Sequence, residues 1–206
     1  MILEACVESY YEALIAQKSG ATRVELCENL AVGGTTPSWG TIKMCCSDLE
    51  IPVAVMIRPR GGDFCYSEKE FEIMQEDIRV CKELGVQGVV FGILTSNNQI
   101  DIERTQILTN LAHPLQVVFH KAFDEATDPF LALEQLVEIG ITRILTSGTK
   151  VTALEGQEIL RKLIKQANDR ISILVAGRVT YENIDDLKTL IPAREFHGRK
   201  IVKLMM

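Results

Sequence analysis

Eight short β-rich stretches punctuate this chain, most of them apolar almost without interruption: residues 3–7, 23–27, 53–58, 88–93, 116–120, 143–146, 171–176 and 194–197. Near-continuous apolar runs of that length are the signature of parallel strands covered on their outer side by helices. Longer segments with helical spacing lie between them. In the third of these, Phe71, Met74, Ile78, Cys81 and Leu84 form one stripe, while Glu72, Glu76, Asp77 and Lys82 turn away from it. Cys81 is therefore a core residue rather than a ligand.

The polar residues punctuate this pattern. Ser9 to Glu12, Ser67 to Glu70 and Thr152 to Glu155 have the capping-box form, in which a side-chain oxygen meets unpaired N–H groups at a helix start. Asp128-Pro129 places an N-cap before a proline at the first helical position. Gly20, Gly85 and Gly140 stand just past helical stretches, where a left-handed residue closes the helix. Strand starts recur every 20 to 35 residues without a Gly/Ser-rich linker. The pattern predicts a single domain over residues 1–206, a (β/α)8 barrel of the TIM type. The alternative is an open doubly wound sheet, but no GxGxxG turn follows the first strand to support its dinucleotide-binding form. Only residues 198–206 follow the eighth run, too few for a covering helix of ~10 residues or more. The last helix is expected to be missing or vestigial, leaving outer strand faces that favour burial by a second chain.

Composition narrows the function classes. Hydrophobic residues make up 47% and charged residues 24%, an ordinary soluble mixture for a chain of 206. The net charge is −6 and the basic residues are dispersed, so the concentrated basic face of a nucleic-acid binder is absent. No basic leader opens the chain, and no run approaches the ~18 apolar residues of a spanning helix. The six cysteines, at 6, 27, 45, 46, 65 and 81, lack disulfide-framework and CxxC spacing. Reduced thiols in a cytoplasmic protein are the expectation.

Candidate chemistry gathers at the strand ends, where barrel enzymes build their sites. Glu4-Ala5-Cys6, Glu25-Leu26-Cys27 and Glu195-Phe196-His197 repeat a two-residue spacing that puts a carboxylate and a softer donor on one face of a strand. On the interior face those carboxylates need cations, for which Arg58, Arg60 and Lys121 are the candidates. Two thiolates with an imidazole suit Cu(I) or zinc. The competing reading is that Cys6 and Cys27 simply pack as small hydrophobes, with His197 donating to a glutamate. Cys45-Cys46 on the second helix and Cys65 in a loop read as structural. The segment from Arg58 through Arg60 to Asp63 can grip an anion or, equally, neutralise Glu4 and Glu25. His120, Lys121 and Asp124 close the fifth strand as an acid/base set. Ser147-Gly148 and Gly177 offer backbone N–H groups of the kind that hold phosphate, or merely turn the chain.

Taken in order, these segments resemble the CutC family, named for copper homeostasis. The resemblance rests on Glu4-Ala5-Cys6, Arg23 to Cys27, Gly33 to Ser38, Met56 to Phe64, Phe119 to Asp124, Leu145 to Gly148 and Glu195 to Gly198. It implies a (β/α)8 barrel, a cytosolic protein that forms homodimers, and Cu(I) ligands at the positions of Cys6 and Cys27. Two departures stand out. Arg178 follows Gly177 where many members carry a further glycine, which would narrow an anion pocket, and longer members continue well past the eighth strand. Two functions follow. One is copper binding through Cys6 and Cys27. The other is an enzyme acting on a small anion held by Arg58, Arg60, Asp63, Ser147, Gly148 and Gly177, with Glu25, His120 and Asp124 as acid/base groups.

Overall fold

The computed structural model describes residues 1–203 and closes eight parallel strands into one barrel in sequence order. The strands are β1 (Ile2–Val7), β2 (Arg23–Leu26), β3 (Val53–Met56), β4 (Gly88–Phe91), β5 (Gln116–Phe119), β6 (Arg143–Thr146), β7 (Ser172–Val175) and β8 (Glu195–Gly198). Each falls on one of the eight apolar runs. Seven helices cover them: α1 (Tyr10–Lys18), α2 (Trp39–Asp48), α3 (Glu68–Leu84), α4 (Ile102–Ala112), α5 (Pro129–Ile139), α6 (Gln157–Ala167) and α7 (Ile184–Leu190).

The helix ends form for the reasons given by their residues. Ser67 and Glu70 make a complete capping box on α3, and Asp128 caps α5 by accepting from the Phe130 and Leu131 N–H groups. Gly85 and Gly140 close their helices in the left-handed region. Thr152 and Glu155 exchange the two bonds of a capping box, but within a turn that ends before α6 begins at Gln157. Local pairing alone does not commit the backbone to a helix there, because nucleation needs several residues fixed at once.

Alternation along the strands divides the apolar residues into two cores. Outward-pointing side chains such as Phe91, Phe119 and Phe196 pack against the helices. Inward-pointing ones, including Cys6, Cys27, Met56, Val90, Leu145 and Leu174, fill the upper barrel axis. Among the described residues no helix follows β8. The outer face of β1 is nevertheless not bare: Ala5 and Val7 are buried, and the tail turns back to bury Ile201 and Val202. A groove of about 360 Å³ between β1, α1 and this tail marks the place of the expected helix.

Candidate functional site

The parallel register decides which charges meet inside the barrel. It sets Glu4 beside Arg23 on one side and His197 on the other, and Cys6 beside Glu25. Arg23 bonds both Glu4 and, at 2.6 Å, Glu195. Arg143 bonds Glu195 at 2.9 Å and Gln116 at 2.6 Å, and Ser172 donates to Glu195 at 2.9 Å. The lower half of the barrel is thus closed by a connected ion network rather than by apolar layers. Arg58, Arg60 and Lys121 do not serve as the partners expected for Glu4 and Glu25. The cations come instead from Arg23, which shares the inward parity of Glu25, and from His197. Loop residues after β3 and β5 stand too high on the barrel to reach Glu4.

Above this network Cys6, Glu25 and Cys27 offer ligand atoms within 4.8 Å of one another, as do Glu4, Glu25 and His197. His197 Nδ1 lies 2.8 Å from Glu4 Oε1, and the Cys27 thiol donates to Glu25 Oε2 at 3.4 Å. Burial disfavours charge on both Glu4 and His197, but each is overruled by its neighbours. His197 and Arg23 hold Glu4 down at about 2, and Glu25, Cys6 and Glu4 hold His197 well above its ordinary value. The two thiols divide. A hydrogen bond from Cys27, with the His197 cation, holds Cys6 well below the usual thiol value against the effect of burial, while Cys27 is pushed well above it by giving that bond and by burial. Burial also pushes Glu25 well up, with the Cys6 charge adding to it. These shifts favour the charged forms of Cys6 and His197 and the neutral forms of Cys27 and Glu25.

Cys6, Glu25 and His197 form part of the wall of a cavity of about 360 Å³ at the carboxyl ends of the strands, whose other residues include Arg58, His120, Lys121 and Asp124. Cys6 and the arginine–histidine group, separate in sequence, therefore share one cavity, while Cys27 is buried behind its wall. Arg58 is buried; its Nη1 donates to the Val32 and Gly34 carbonyls at 3.0 Å, and its Nη2 to Gly62 at 2.7 Å. The Phe64 ring lies 4.8 Å from the guanidinium and 4.9 Å from the His120 ring. His120 accepts from the Ala122 N–H at Nδ1, and burial together with the Arg58 charge lowers it to about 3, so it is neutral with its proton on Nε2.

His120 does not touch Asp124. The Asp124 carboxylate is instead bound by Lys121 at 2.6 Å, by the Thr146 hydroxyl, and by the Ser147 and Thr149 N–H groups at 3.1 and 3.0 Å. Burial opposes its charge, but Lys121 and these donors hold it below its usual range. The loop after β6, expected to offer N–H groups to an anion, thus already holds one of the protein's own. Ser147, Gly148 and Gly177 do not line the cavity; a Cβ on Gly177 would lie 2.6 Å from that of Ser147, and one on Gly148 2.5 Å from the Gly156 carbonyl. These glycines let two loops approach. Arg60 is engaged with Glu70 at 2.6 Å and Asp63 at 3.0 Å, away from the cavity wall. Arg178 also stands outside that wall and holds a φ of 56°, the left-handed region that favours glycine.

Sequence reasoning overlooked Arg23 and Arg143. Both open strands at inward positions, so strand parity was the signal that could have found them. It also overlooked Phe64 as the cover over Arg58 and His120, for which no local pattern exists.

The family model described as the CutC family matches residues 1–202. A human relative, named copper homeostasis protein cutC homolog, is 46% identical over 196 residues, covering 95% of this chain and 72% of its own length. A Vibrio vulnificus family protein CutC is 45% identical over 197 residues, covering 95% and 79%. A solved CutC chain from Streptococcus agalactiae superimposes with a TM-score of 0.94 at 44% identity, covering 98% of this chain and all of its own. A solved aldolase superimposes with a TM-score of 0.70 at 14% identity, a likeness of fold alone.

Proposed function

The chain belongs to the CutC family, and on that basis we propose that it serves copper homeostasis by binding Cu(I) through Cys6 and Cys27 at the ends of β1 and β2. The observation that carries the reading is the donor set itself. Two sulfurs and the Glu25 carboxylate come within 4.8 Å of one another on neighbouring strands, and one thiol is already disposed to lose its proton. Paired soft sulfur is the ligand type that selects Cu(I). His197, on the other flank of Cys6, stabilises the thiolate; Glu25 is the further oxygen donor beside it. All six cysteines are unpaired thiols, which fits a reducing, cytoplasmic setting, and no helix among the described residues is long and apolar enough to cross a membrane.

Anaerobic titration against a strong Cu(I) chelator tests the site. One tight equivalent is expected for the wild type and none for Cys6→Ser or Cys27→Ser. Equal binding by wild type and the double variant overturns the assignment. We further propose a homodimer, supported by the groove beside β1, α1 and the tail. Sedimentation at micromolar concentration is expected to give about twice the monomer mass, and a monomer counts against it.

A second reading, an enzyme acting on a small anion, is favoured by one observation. Unpartnered polar atoms of Glu25, Arg58 and His120 all belong to residues lining the same cavity. Within it Glu25, whose pKa burial raises, is the acid; Asp124, fully engaged by its loop, positions Lys121; and His120 acts as a neutral hydrogen-bond donor.

A further inference from the structure

We propose that the cavity at the carboxyl ends of the strands binds a small monocarboxylate, held against Arg58 and the Nε2–H of His120. The proposal gives the second reading its ligand class and rests on that reading's cavity. It needs no bound copper.

The argument begins with charge. A buried cation is stable only where something compensates it. Around this cavity Lys121 is matched by Asp124 at 2.6 Å, and His197 by Glu4 at 2.8 Å. Arg58 is different. Among the described residues no carboxylate lies within ion-pair distance of it, and its three bonds through Nη1 and Nη2 all go to backbone carbonyls of the surrounding loops. Its Nε has no partner. The Tyr66 hydroxyl faces the guanidinium, and, being neutral, leaves its charge unbalanced. One positive charge is therefore left for a ligand to balance.

The second donor is His120. Its Nδ1 accepts from the Ala122 N–H, so its proton is on Nε2, and Nε2 also lacks a partner. The Phe64 ring packs against both side chains and lines the cavity with them. The remaining wall is largely apolar, with Leu30, Val32, Met56 and Leu145.

These features select among anions. A phosphate dianion brings more charge than Arg58 leaves unbalanced, and it ordinarily draws on a cluster of backbone N–H groups. The cluster after β6 is already filled by Asp124. A carboxylate brings one charge and two oxygens, matching one guanidinium and two N–H donors. Glu25 Oε1, the third unpartnered atom, is available to a hydroxyl on the same molecule.

Calorimetric titration of the copper-free full chain with glycolate, acetate and inorganic phosphate tests this by binding alone, so absence of turnover would leave it standing. Saturable one-to-one binding of glycolate is expected, with phosphate at least about tenfold weaker. Each charge-assisted hydrogen bond lost should weaken binding by about tenfold or more in Arg58→Lys and His120→Phe. No saturable carboxylate binding by the wild type, or phosphate binding the tighter of the two, overturns the proposal whether or not the variants fold. Folded variants that bind glycolate as the wild type does overturn it as well.

Discussion

Replacing Arg23 with methionine is expected to lower the unfolding free energy at neutral pH by about 3–5 kcal/mol, the range found when one partner of a buried ion pair is removed. Arg23 is 5% exposed and, from β2, bridges Glu4 on the adjacent β1 and Glu195 on β8 beyond it. Methionine fills much of the same volume, so packing changes little and the loss reports the charges left behind. Glu195 retains Arg143 and Ser172, but Glu4, 1% exposed, is left with His197 alone. Urea unfolding followed by circular dichroism measures the loss. Pairing the change with Glu4→Gln supplies the internal control: the double variant should lose less than the two single variants added together, because no uncompensated carboxylate remains at that position. A loss below about 1 kcal/mol for Arg23→Met, the size typical of an exposed pair, would show that the network is not closed to water.

The second large effect is acid sensitivity above the carboxylate range. Burial and the Arg58 charge lower His120 to about 3 from an ordinary 6.5. Between those values the unfolded chain takes up a proton that the folded one refuses, so stability falls as pH falls from 6.5 towards 3. The slope approaches about 1.4 kcal/mol per pH unit below pH 6, for a loss of about 2 kcal/mol between pH 6.5 and 4.5. Glu4, held at about 2, adds a loss that starts only below its ordinary 4.5. His197 works in the other direction. Its raised value means its contribution is complete below 6.5 and is lost as pH rises through the folded value. Unfolding curves for wild type and His120→Phe at several pH values separate these groups. The gap between the two proteins should narrow steadily from pH 6.5 to 4.5, and a gap that stays constant would mean His120 is protonated in the folded barrel.

Much of the architecture was legible because parallel strands and capped helices leave local marks. The eight apolar runs, the α3 stripe and the glycine caps at 85 and 140 each report on a few neighbouring residues. What was not legible depends on register and loop course. Glu4, Glu25 and the two cysteines could be placed on one face from their spacing, but not matched to Arg23, which lies beside Glu4 only through the β1–β2 offset. For the same reason the thiol group and the arginine–histidine group looked like two sites, although the closed sheet brings Cys6 into the cavity of Arg58 and His120. Arg60 and Asp63 satisfy each other and Glu70 within their own loop, a local solution that a cluster of charges in sequence does not distinguish from a binding site.

Asp124 has a further consequence. In many barrels the late loops hold the phosphate of a substrate. Here a tethered carboxylate occupies the Ser147 and Thr149 amides and the Thr146 hydroxyl. Being attached to the same chain, it competes at a millimolar or higher effective concentration against any free anion. The barrel in effect carries its own resident inhibitor at that position. Shortening this one side chain would leave the donors in place and empty, so a phosphate subsite could arise here by losing a group rather than by gaining one. A single-codon change separates a self-occupied loop from one that answers to the phosphate content of its surroundings.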